Sequence, residues 1–137
     1  MQNRILMEEV FELVSDARQL APFRAKLRTV LLKMGLKEKS IAELVLAVDE
    51  AMTNSIRHAY AGKEGKIKVV VFDRADRIEI SIEDSGRKFD PTKIPPPELP
   101  PKKPGGLGLY FIKILTDNAA YDSEYAGGNR LRLTKCK

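Results

Sequence analysis

The chain has 137 residues, of which 43% are hydrophobic and 31% charged, and a formal net charge of +5. This length suits one domain with one core and leaves no room for a nucleotide-binding domain beside a separate catalytic domain. The apolar runs are too short to cross a membrane and the acidic N-terminal stretch lacks the cleavage site of a signal peptide, so we expect a cytoplasmic protein.

Charge distribution and cysteine content exclude further classes of site. The 24 Lys and Arg residues are spread along the chain, without the dense stripe or interleaved aromatic residues of a nucleic-acid surface, and we expect no direct nucleic-acid binding. An acidic partner or an anionic ligand fits the positive charge equally well. The single cysteine, Cys136, has no partner for an intramolecular disulfide or a cysteine-based zinc site.

The first part of the chain is predicted to form one strand and two helices. Residues 4–14 settle on no single period, which fits a strand or a short helix, and we interpret them as an edge strand. Apolar residues at helical spacing predict a helix over Ala17–Met34. A second helix is predicted from about Ser40 to Tyr60, with Ser40 and Glu43 forming a capping box at its start.

A hairpin and a loop are predicted next. Two strands, Lys66–Phe72 and Arg77–Asp84, are separated by a short turn and are expected to pair in antiparallel fashion. Seven of the eight prolines then lie between Pro91 and Pro104, in a segment that can form neither a helix nor a central strand. We predict a loop there.

The last part of the chain is predicted to hold a third helix and a closing hairpin. The helix is expected to begin at the glycines of the run GGLGLYFIKILTD, and the hairpin to consist of YDSEYA and NRLRLTK around Gly127 and Gly128. The order of elements over residues 1–137 predicts a single α+β domain. Its architecture would be a two-layer sandwich, in which a mixed, mostly antiparallel sheet carries helices on one face.

The polar face of the second helix is the first candidate site. Glu50 and Asn54 lie one turn apart on the face opposite to an apolar stripe. Such a pair is compatible with a solvated helix surface. Asparagine is a mediocre helix former in mid-helix, however, so something other than propensity favours it at position 54.

The end of the strand Arg77–Asp84 is the second candidate site. Asp84 is in phase with the isoleucines of this strand, so its carboxylate points to the buried side if the strand keeps its register. A carboxylate there needs a hydrogen-bond donor, such as the amino group of an adenine, and Gly86 would let a ligand approach the backbone closely. The alternative is an ordinary turn at Asp84, Ser85 and Gly86.

The glycines before the third helix are the third candidate site. Gly105-Gly106-Leu107-Gly108 opens a helix whose free backbone N–H groups and positive dipole end suit a phosphate group. Glycines also serve simply to start a helix after a loop. The run has neither the spacing of a Walker A loop nor that of a complete Rossmann fingerprint.

Taken in chain order, the runs EAMTN, DSG and GGLGLYFIK resemble the signature boxes of the GHKL ATPases, which have the Bergerat fold. The resemblance covers roughly residues 16–135. It implies that ATP and Mg²⁺ are the cofactors, and that the proline-rich segment, about residues 90–105, is the lid over the nucleotide.

The same resemblance implies roles for individual residues. Glu50 would be the general base, and the side-chain oxygen of Asn54 would bind a Mg²⁺ ion that bridges the ATP phosphates. Asp84 would accept a hydrogen bond from the adenine amino group, and Gly86 would line the base pocket. The remaining implied ligand contacts are Gly106, Leu107 and Gly108 at the phosphates and Thr134 near the adenine.

The short chain with a glutamate one turn before Asn54 resembles, within this superfamily, the anti-sigma factor serine/threonine kinases. Sensor histidine kinases usually lack that glutamate and add a dimerisation domain, and the gyrase, Hsp90 and MutL relatives are much larger. The run DSGRKFDP also fits this branch. Its Arg87 and Lys88 either contact phosphates or a partner's acidic groups or are solvated, and for His58 we favour a structural or pocket-edge role.

This resemblance implies a function that involves two protein partners. The protein would phosphorylate a serine or threonine of an anti-sigma factor antagonist of the STAS type and would sequester a sigma factor, as a homodimer. One alternative is an ATP-gated protein-binding module that transfers little or no phosphate. Others are slow ATP hydrolysis without a protein substrate and a domain that binds no nucleotide.

Overall fold

The computed structural model describes residues 4–90 and 107–137, with the backbone alone described for residues 107–109. The strands are β1 (Met7–Val14), β2 (Lys66–Asp73), β3 (Arg77–Asp84), β4 (Asn118–Tyr121) and β5 (Asn129–Cys136). The helices are α1 (Leu20–Lys33), α2 (Glu38–Asn54) and α3 (Leu107–Leu115). A 3₁₀ turn, Ala17–Gln19, precedes α1, and a π-helical turn, Ser55–Ala59, follows α2.

The five strands form one sheet in the order β1-β2-β3-β5-β4. All four pairings between the described strands are antiparallel, so the prediction of a mixed sheet is wrong in that detail. The predicted edge strand at the start of the chain is confirmed as β1. Because β4 and β5 form a hairpin, β5 folds back between β4 and β3 and pairs along the whole of β3.

The core lies between one face of the sheet and the helices. Ile78 and Ile80 of β3 are completely buried, and Ile82 and Asp84, which follow in the same phase, are 3% and 5% exposed. The predicted alternation of β3 is therefore confirmed as far as Asp84. On the helix side, the completely buried residues include Leu27 and Leu31 of α1 and Leu44 of α2.

The predicted start of the second helix is wrong. The helix begins at Glu38, and the residue before it, Lys37, is the N-cap, with the extended backbone that this position requires (φ −68°, ψ 149°). The Ile41 N–H already donates to the Lys37 carbonyl at 2.8 Å, so Ser40 lies inside the first turn and forms no capping box with Glu43.

The first strand of the closing hairpin begins and ends earlier in the chain than the sequence predicts. Of the run YDSEYA, only Tyr121 belongs to β4, which begins at Asn118. The carboxylate of Asp122 accepts a hydrogen bond from the Glu124 N–H at 3.1 Å, which turns the chain out of the strand. The predicted proline-rich loop and lid lie outside the described residues, apart from residue 90. None of the helices in the described part of the chain is long and apolar enough to cross a bilayer.

Candidate functional site

The helix that carries Glu50 and Asn54 changes its winding directly after Asn54. The Tyr60 N–H donates to the Ser55 carbonyl at 3.0 Å, a bond that spans five residues instead of four. Single π turns of this kind are frequent at functional sites in helices. This one places Ser55 and Ala59, both buried, against the end of β3.

Asp84, at the end of β3, is the buried carboxylate of the site. Its Oδ2 accepts a hydrogen bond from the Ser55 hydroxyl at 2.9 Å. Its Oδ1 accepts from the Asn129 amide at 2.8 Å and from the Gly86 N–H at 3.0 Å. Because a carboxylate offers about four lone-pair positions, these three donors leave one acceptor position, on Oδ2.

Asn129 is a site residue that the sequence reasoning missed. It is 6% exposed, and besides bonding Asp84 its Nδ2 donates to the Arg87 carbonyl at 2.7 Å. Its Oδ1 accepts from the Phe89 N–H at 2.8 Å and from the Tyr121 hydroxyl at 2.6 Å. The signal that would have found it is parity, since Asn129 is in phase with the buried leucines of β5.

These elements enclose a small cleft that is partly open to solvent. Most of its wall is apolar, and its polar groups are those of Asn54, Ser55, Asp84, Tyr121 and Asn129. A concave apolar surface with a few convergent polar groups is typical of small-molecule sites. The full lining consists of Ala51, Asn54, Ser55, Ala59, Ile82, Asp84, Phe89, Tyr121, Asn129 and Leu131.

Asn54 lies in this lining with an unmet hydrogen-bond requirement. Within the described part of the chain, its Nδ2 is buried and has no hydrogen-bond partner. An unsatisfied buried amide costs about 1–3 kcal/mol, so a ligand that supplies a partner would recover this energy. The Nδ2 suits a phosphate oxygen, and rotation of the amide by 180° presents Oδ1 to a cation instead.

Glu50, one turn before Asn54, is partly buried. Burial raises the pKa of its carboxyl, the neighbouring Asp49 carboxylate raises it further, and the charge of Arg57 lowers it. The Asp49 carboxylate itself forms a salt bridge with the Arg24 guanidinium at 2.6 Å. A glutamate whose pKa is raised toward neutrality is a better general base than an ordinary surface carboxylate.

Gly86 is required by the backbone packing of the site. A Cβ at this position would lie 2.5 Å from the Ala59 carbonyl oxygen, and the next N–H, of Arg87, donates to that same oxygen at 2.8 Å. The turn after β3 thus packs against the π turn and is hydrogen-bonded to it. The structure gives this glycine a reason of its own, the close approach of the Ala59 backbone, and the predicted approach of a ligand stays a prediction.

Replacing Gly86 by alanine is expected to lower the free energy of unfolding by about 1–3 kcal/mol, because the Ala59 carbonyl that the new methyl group meets is backbone and cannot rotate away. Urea denaturation followed by circular dichroism measures this change. Gly127→Ala is the matched control, since its Cβ would meet the ring of Tyr125 at 3.0 Å, which can move. Equal urea midpoints for the two variants would contradict a tight backbone contact between Gly86 and the Ala59 carbonyl.

The two cations after Gly86 contact backbone carbonyls. The guanidinium of Arg87 donates to the His58 carbonyl at 3.1 Å, and the Lys88 ammonium donates to the Tyr125 carbonyl. The ring of His58 stacks on Phe89, with centroids 4.5 Å apart, and Phe89 lines the cleft. These contacts favour structural roles for Arg87 and Lys88 and the predicted pocket-edge position for His58.

The structure does not bring Thr134 to the cleft. Thr134 pairs with Glu79 at the far end of β3 from Asp84, and it lies five residues along β5 from Asn129, about 17 Å at strand spacing. Its parity also places it on the face of the sheet away from the helices. Thr134 therefore lies too far from Asp84 to contact the same adenine, and the residue of β5 that lies beside Asp84 is Asn129.

The remaining predicted phosphate contacts lie at the start of α3. Leu107 and Gly108 are the first two residues of this helix, which packs against α2, the helix that carries Glu50 and Asn54. The first N–H groups of a helix have no partner inside the helix and suit an anion. Gly106 lies outside the described residues.

Comparison with known proteins identifies the family of this chain. The model of the histidine kinase-like ATPase domain family matches residues 13–135. Proteins named serine-protein kinase RsbW are similar: that of Oceanobacillus iheyensis is 39% identical, with 74% of this chain and 70% of the relative aligned. That of Listeria innocua is 35% identical, with 69% and 66% aligned.

A solved structure shares the fold. The crystal structure of the RsbU and RsbW domains of Rv1364c from Mycobacterium tuberculosis matches with a TM-score of 0.68 and 23% sequence identity. The match covers 95% of this chain and 32% of that protein. Since the family model matches residues 13–135, almost the whole chain, this chain belongs to the family of histidine kinase-like ATPase domains.

Proposed function

We propose that this domain binds Mg-ATP in the cleft and transfers the γ-phosphate to a serine or threonine hydroxyl of a protein partner. The observation that carries the proposal is a pair of polar groups in the cleft whose hydrogen bonds to residues 4–90 and 107–137 leave capacity unused. One is the buried Asp84 carboxylate, with one acceptor position left, and the other is the buried Asn54 amide, whose Nδ2 has no partner there.

The base end of the ligand is placed at Asp84. The remaining acceptor position on Oδ2 would receive the 6-amino group of adenine, and the apolar residues Ile82, Phe89 and Leu131 would contact the faces of the ring. A purine has two apolar faces and a polar edge, which is the distribution that this lining offers. The carboxylate would thus select the base by its amino group.

The phosphate end is placed at Asn54 and the start of α3. The buried Nδ2 of Asn54, which has no partner among the described residues, fits a phosphate oxygen, and Oδ1 fits a Mg²⁺ ion, which prefers oxygen ligands. Within residues 4–90 and 107–137, no cluster of three His, Cys, Asp or Glu side chains offers a metal site, so Asn54 and the phosphates would hold the ion. Mg²⁺ would neutralise charge on the phosphoryl group during transfer.

Glu50 supplies the proton acceptor. The substrate hydroxyl would lose its proton to the Glu50 carboxylate while its oxygen forms a bond to the γ-phosphorus and the bond from that phosphorus to the β–γ bridging oxygen breaks, releasing ADP. Burial raises the pKa of this carboxyl, which is the direction that favours a proton acceptor. Most of the acceleration would come from positioning and charge neutralisation.

The names of the relatives support a protein substrate. The similar proteins from Oceanobacillus iheyensis and Listeria innocua are named serine-protein kinases, and the aligned segment spans 66–70% of their length. We extend the proposal to the partners implied by the sequence motifs, an anti-sigma factor antagonist as substrate and a sigma factor as the protein sequestered. A homodimer and a cytoplasmic location belong to the same proposal.

Replacing Asn54 by alanine is expected to weaken Mg-ATP binding about 10- to 100-fold, the cost of one or two hydrogen bonds or ligand bonds to charged groups. Calorimetric titration with ATP, with and without Mg²⁺, measures it. The variant should also lose most of the gain in affinity that Mg²⁺ gives the wild type.

The matched control is Thr53→Ala. Thr53 is the neighbouring residue on α2, and its hydroxyl bonds to the carbonyl of Asp49 in its own helix at 2.9 Å, so its loss should leave ATP affinity unchanged. If the wild type binds no ATP, the nucleotide proposal fails. If Asn54→Ala binds Mg-ATP like the wild type, the phosphate end has been placed wrongly.

A further inference from the structure

We infer that Asn129 is a positioning residue that sets the selectivity of the cleft for a 6-aminopurine by holding the Asp84 carboxylate in one orientation. This inference rests on the proposed function of the cleft and extends it to a residue outside the sequence motifs. Asn129 acts through Asp84 and needs no contact with the reacting atoms.

The carboxamide of Asn129 uses its full hydrogen-bonding capacity. A primary amide has two N–H donors and two acceptor lone pairs. The donors go to Asp84 Oδ1 at 2.8 Å and to the Arg87 carbonyl at 2.7 Å. The acceptors receive the Phe89 N–H at 2.8 Å and the Tyr121 hydroxyl at 2.6 Å. A buried side chain satisfied on all four sides has one orientation, because any rotation breaks several bonds at once.

This fixed amide in turn fixes the carboxylate. Asn129 and the Gly86 N–H occupy Oδ1, and the Ser55 hydroxyl occupies Oδ2, so the carboxylate is held at both oxygens. The acceptor position that is left on Oδ2 therefore has a defined direction. A donor group on a bound base meets it directly, whereas a carbonyl oxygen at the same place meets a second acceptor and is repelled.

The remaining hydrogen bonds of the Asn129 amide position the wall of the cleft. Its bonds to Arg87 and Phe89 fix the backbone that carries the Phe89 ring, which lines the cleft and stacks on His58. The Asn129 side chain thus sets the distance between the Asp84 carboxylate, which would bond to the edge of the base, and the Phe89 ring in the cleft wall. Alanine, serine or threonine at position 129 cannot make all four bonds.

The experiment compares the dissociation constants of Mg-ATP and of Mg-inosine triphosphate, in which a carbonyl oxygen replaces the 6-amino group. We expect the wild type to prefer ATP and Asn129→Ala to reduce the ratio of the two affinities at least tenfold, mainly through weaker ATP binding. Asn129→Thr, which keeps one donor and one acceptor, should recover part of the ratio. Asn118→Ala, an exposed asparagine of β4, is the matched control.

A purely structural role for Asn129 would weaken both nucleotides equally and leave the ratio unchanged, which would overturn the inference. If Asn129→Ala does not fold, Tyr121→Phe provides the test, since it removes only the hydroxyl that donates to Asn129. It should lower the ratio about threefold, and an unchanged ratio would again overturn the inference. A wild type that binds both nucleotides equally would overturn the inference, whereas one that binds neither would contradict the proposed function itself.

Discussion

Glu50→Gln is expected to lower the rate of phosphoryl transfer to the protein substrate by about two to four orders of magnitude, the range that a positioned general base contributes. Glutamine keeps the size and polarity of the side chain but cannot accept the hydroxyl proton. Since Glu50 is outside the cleft lining, Mg-ATP affinity should stay within about threefold of the wild type. Transfer of radiolabelled γ-phosphate and calorimetry measure the two quantities separately.

The pH dependence of the rate tests the same assignment. Burial and Asp49 raise the pKa of Glu50, so the rate should fall on acidification at a higher pH than the ordinary pKa of a glutamate would give, because the carboxylate gains a proton there and stops acting as a base. The charge of Arg57 lowers this pKa, and Arg57→Gln should therefore move the acid limb to higher pH. In Glu50→Gln this limb should vanish from the residual rate.

Glu43→Gln is the matched control for Glu50. It is another glutamate of α2, and its carboxylate lies 3.6 Å from the Lys135 ammonium. Because Glu43 is absent from the cleft lining, its replacement should leave the transfer rate unchanged. Full phosphoryl transfer by Glu50→Gln would remove Glu50 as the base. Binding of ATP and of partners by a wild type that transfers no phosphate would favour the ATP-gated binding module.

Asp84→Asn is expected to weaken ATP binding about 10- to 100-fold, because a hydrogen bond to a charged acceptor contributes about 1.5–3 kcal/mol. The new amide has an NH₂ group where one carboxylate oxygen stood. In place of Oδ1 this group would face two donors, the Gly86 N–H and the Asn129 amide. In place of Oδ2 it would force the Ser55 hydroxyl to rotate and accept, and it would put a donor where the free acceptor position was. The free energy of unfolding should fall by about 1–3 kcal/mol as well.

Asp73→Asn separates the two effects of this change. Asp73 is equally buried, at 5% exposure, but lies at the other end of the sheet, where it contacts Lys137 at 3.0 Å and accepts from the Ala75 N–H. This variant should lose stability and keep its ATP affinity. Calorimetry and urea denaturation on both variants provide the comparison. Equal ATP affinities for the two would mean that Asp84 has only a structural role.

The sequence alone predicted the local features on which the site depends. The alternation of β3 predicted the burial of Asp84, and the helical spacing of α2 predicted that Glu50 and Asn54 share a face. These inferences succeed because the period of a strand or a helix determines the direction of a side chain from its neighbours in the chain. The three motifs that resemble the GHKL signature boxes likewise pointed to the family that the whole-chain comparison confirms.

Tertiary structure decided which residues complete the site. Asn129 lies 45 residues from Asp84 in the chain and reaches it only because β5 folds back beside β3, while the same register carries Thr134 to the far end of the strand. The π turn likewise aligns Ser55 with Asp84 and brings the Ala59 carbonyl against Gly86. Hydrogen bonds between distant segments depend on strand order and register, and neither composition nor periodicity encodes these directly.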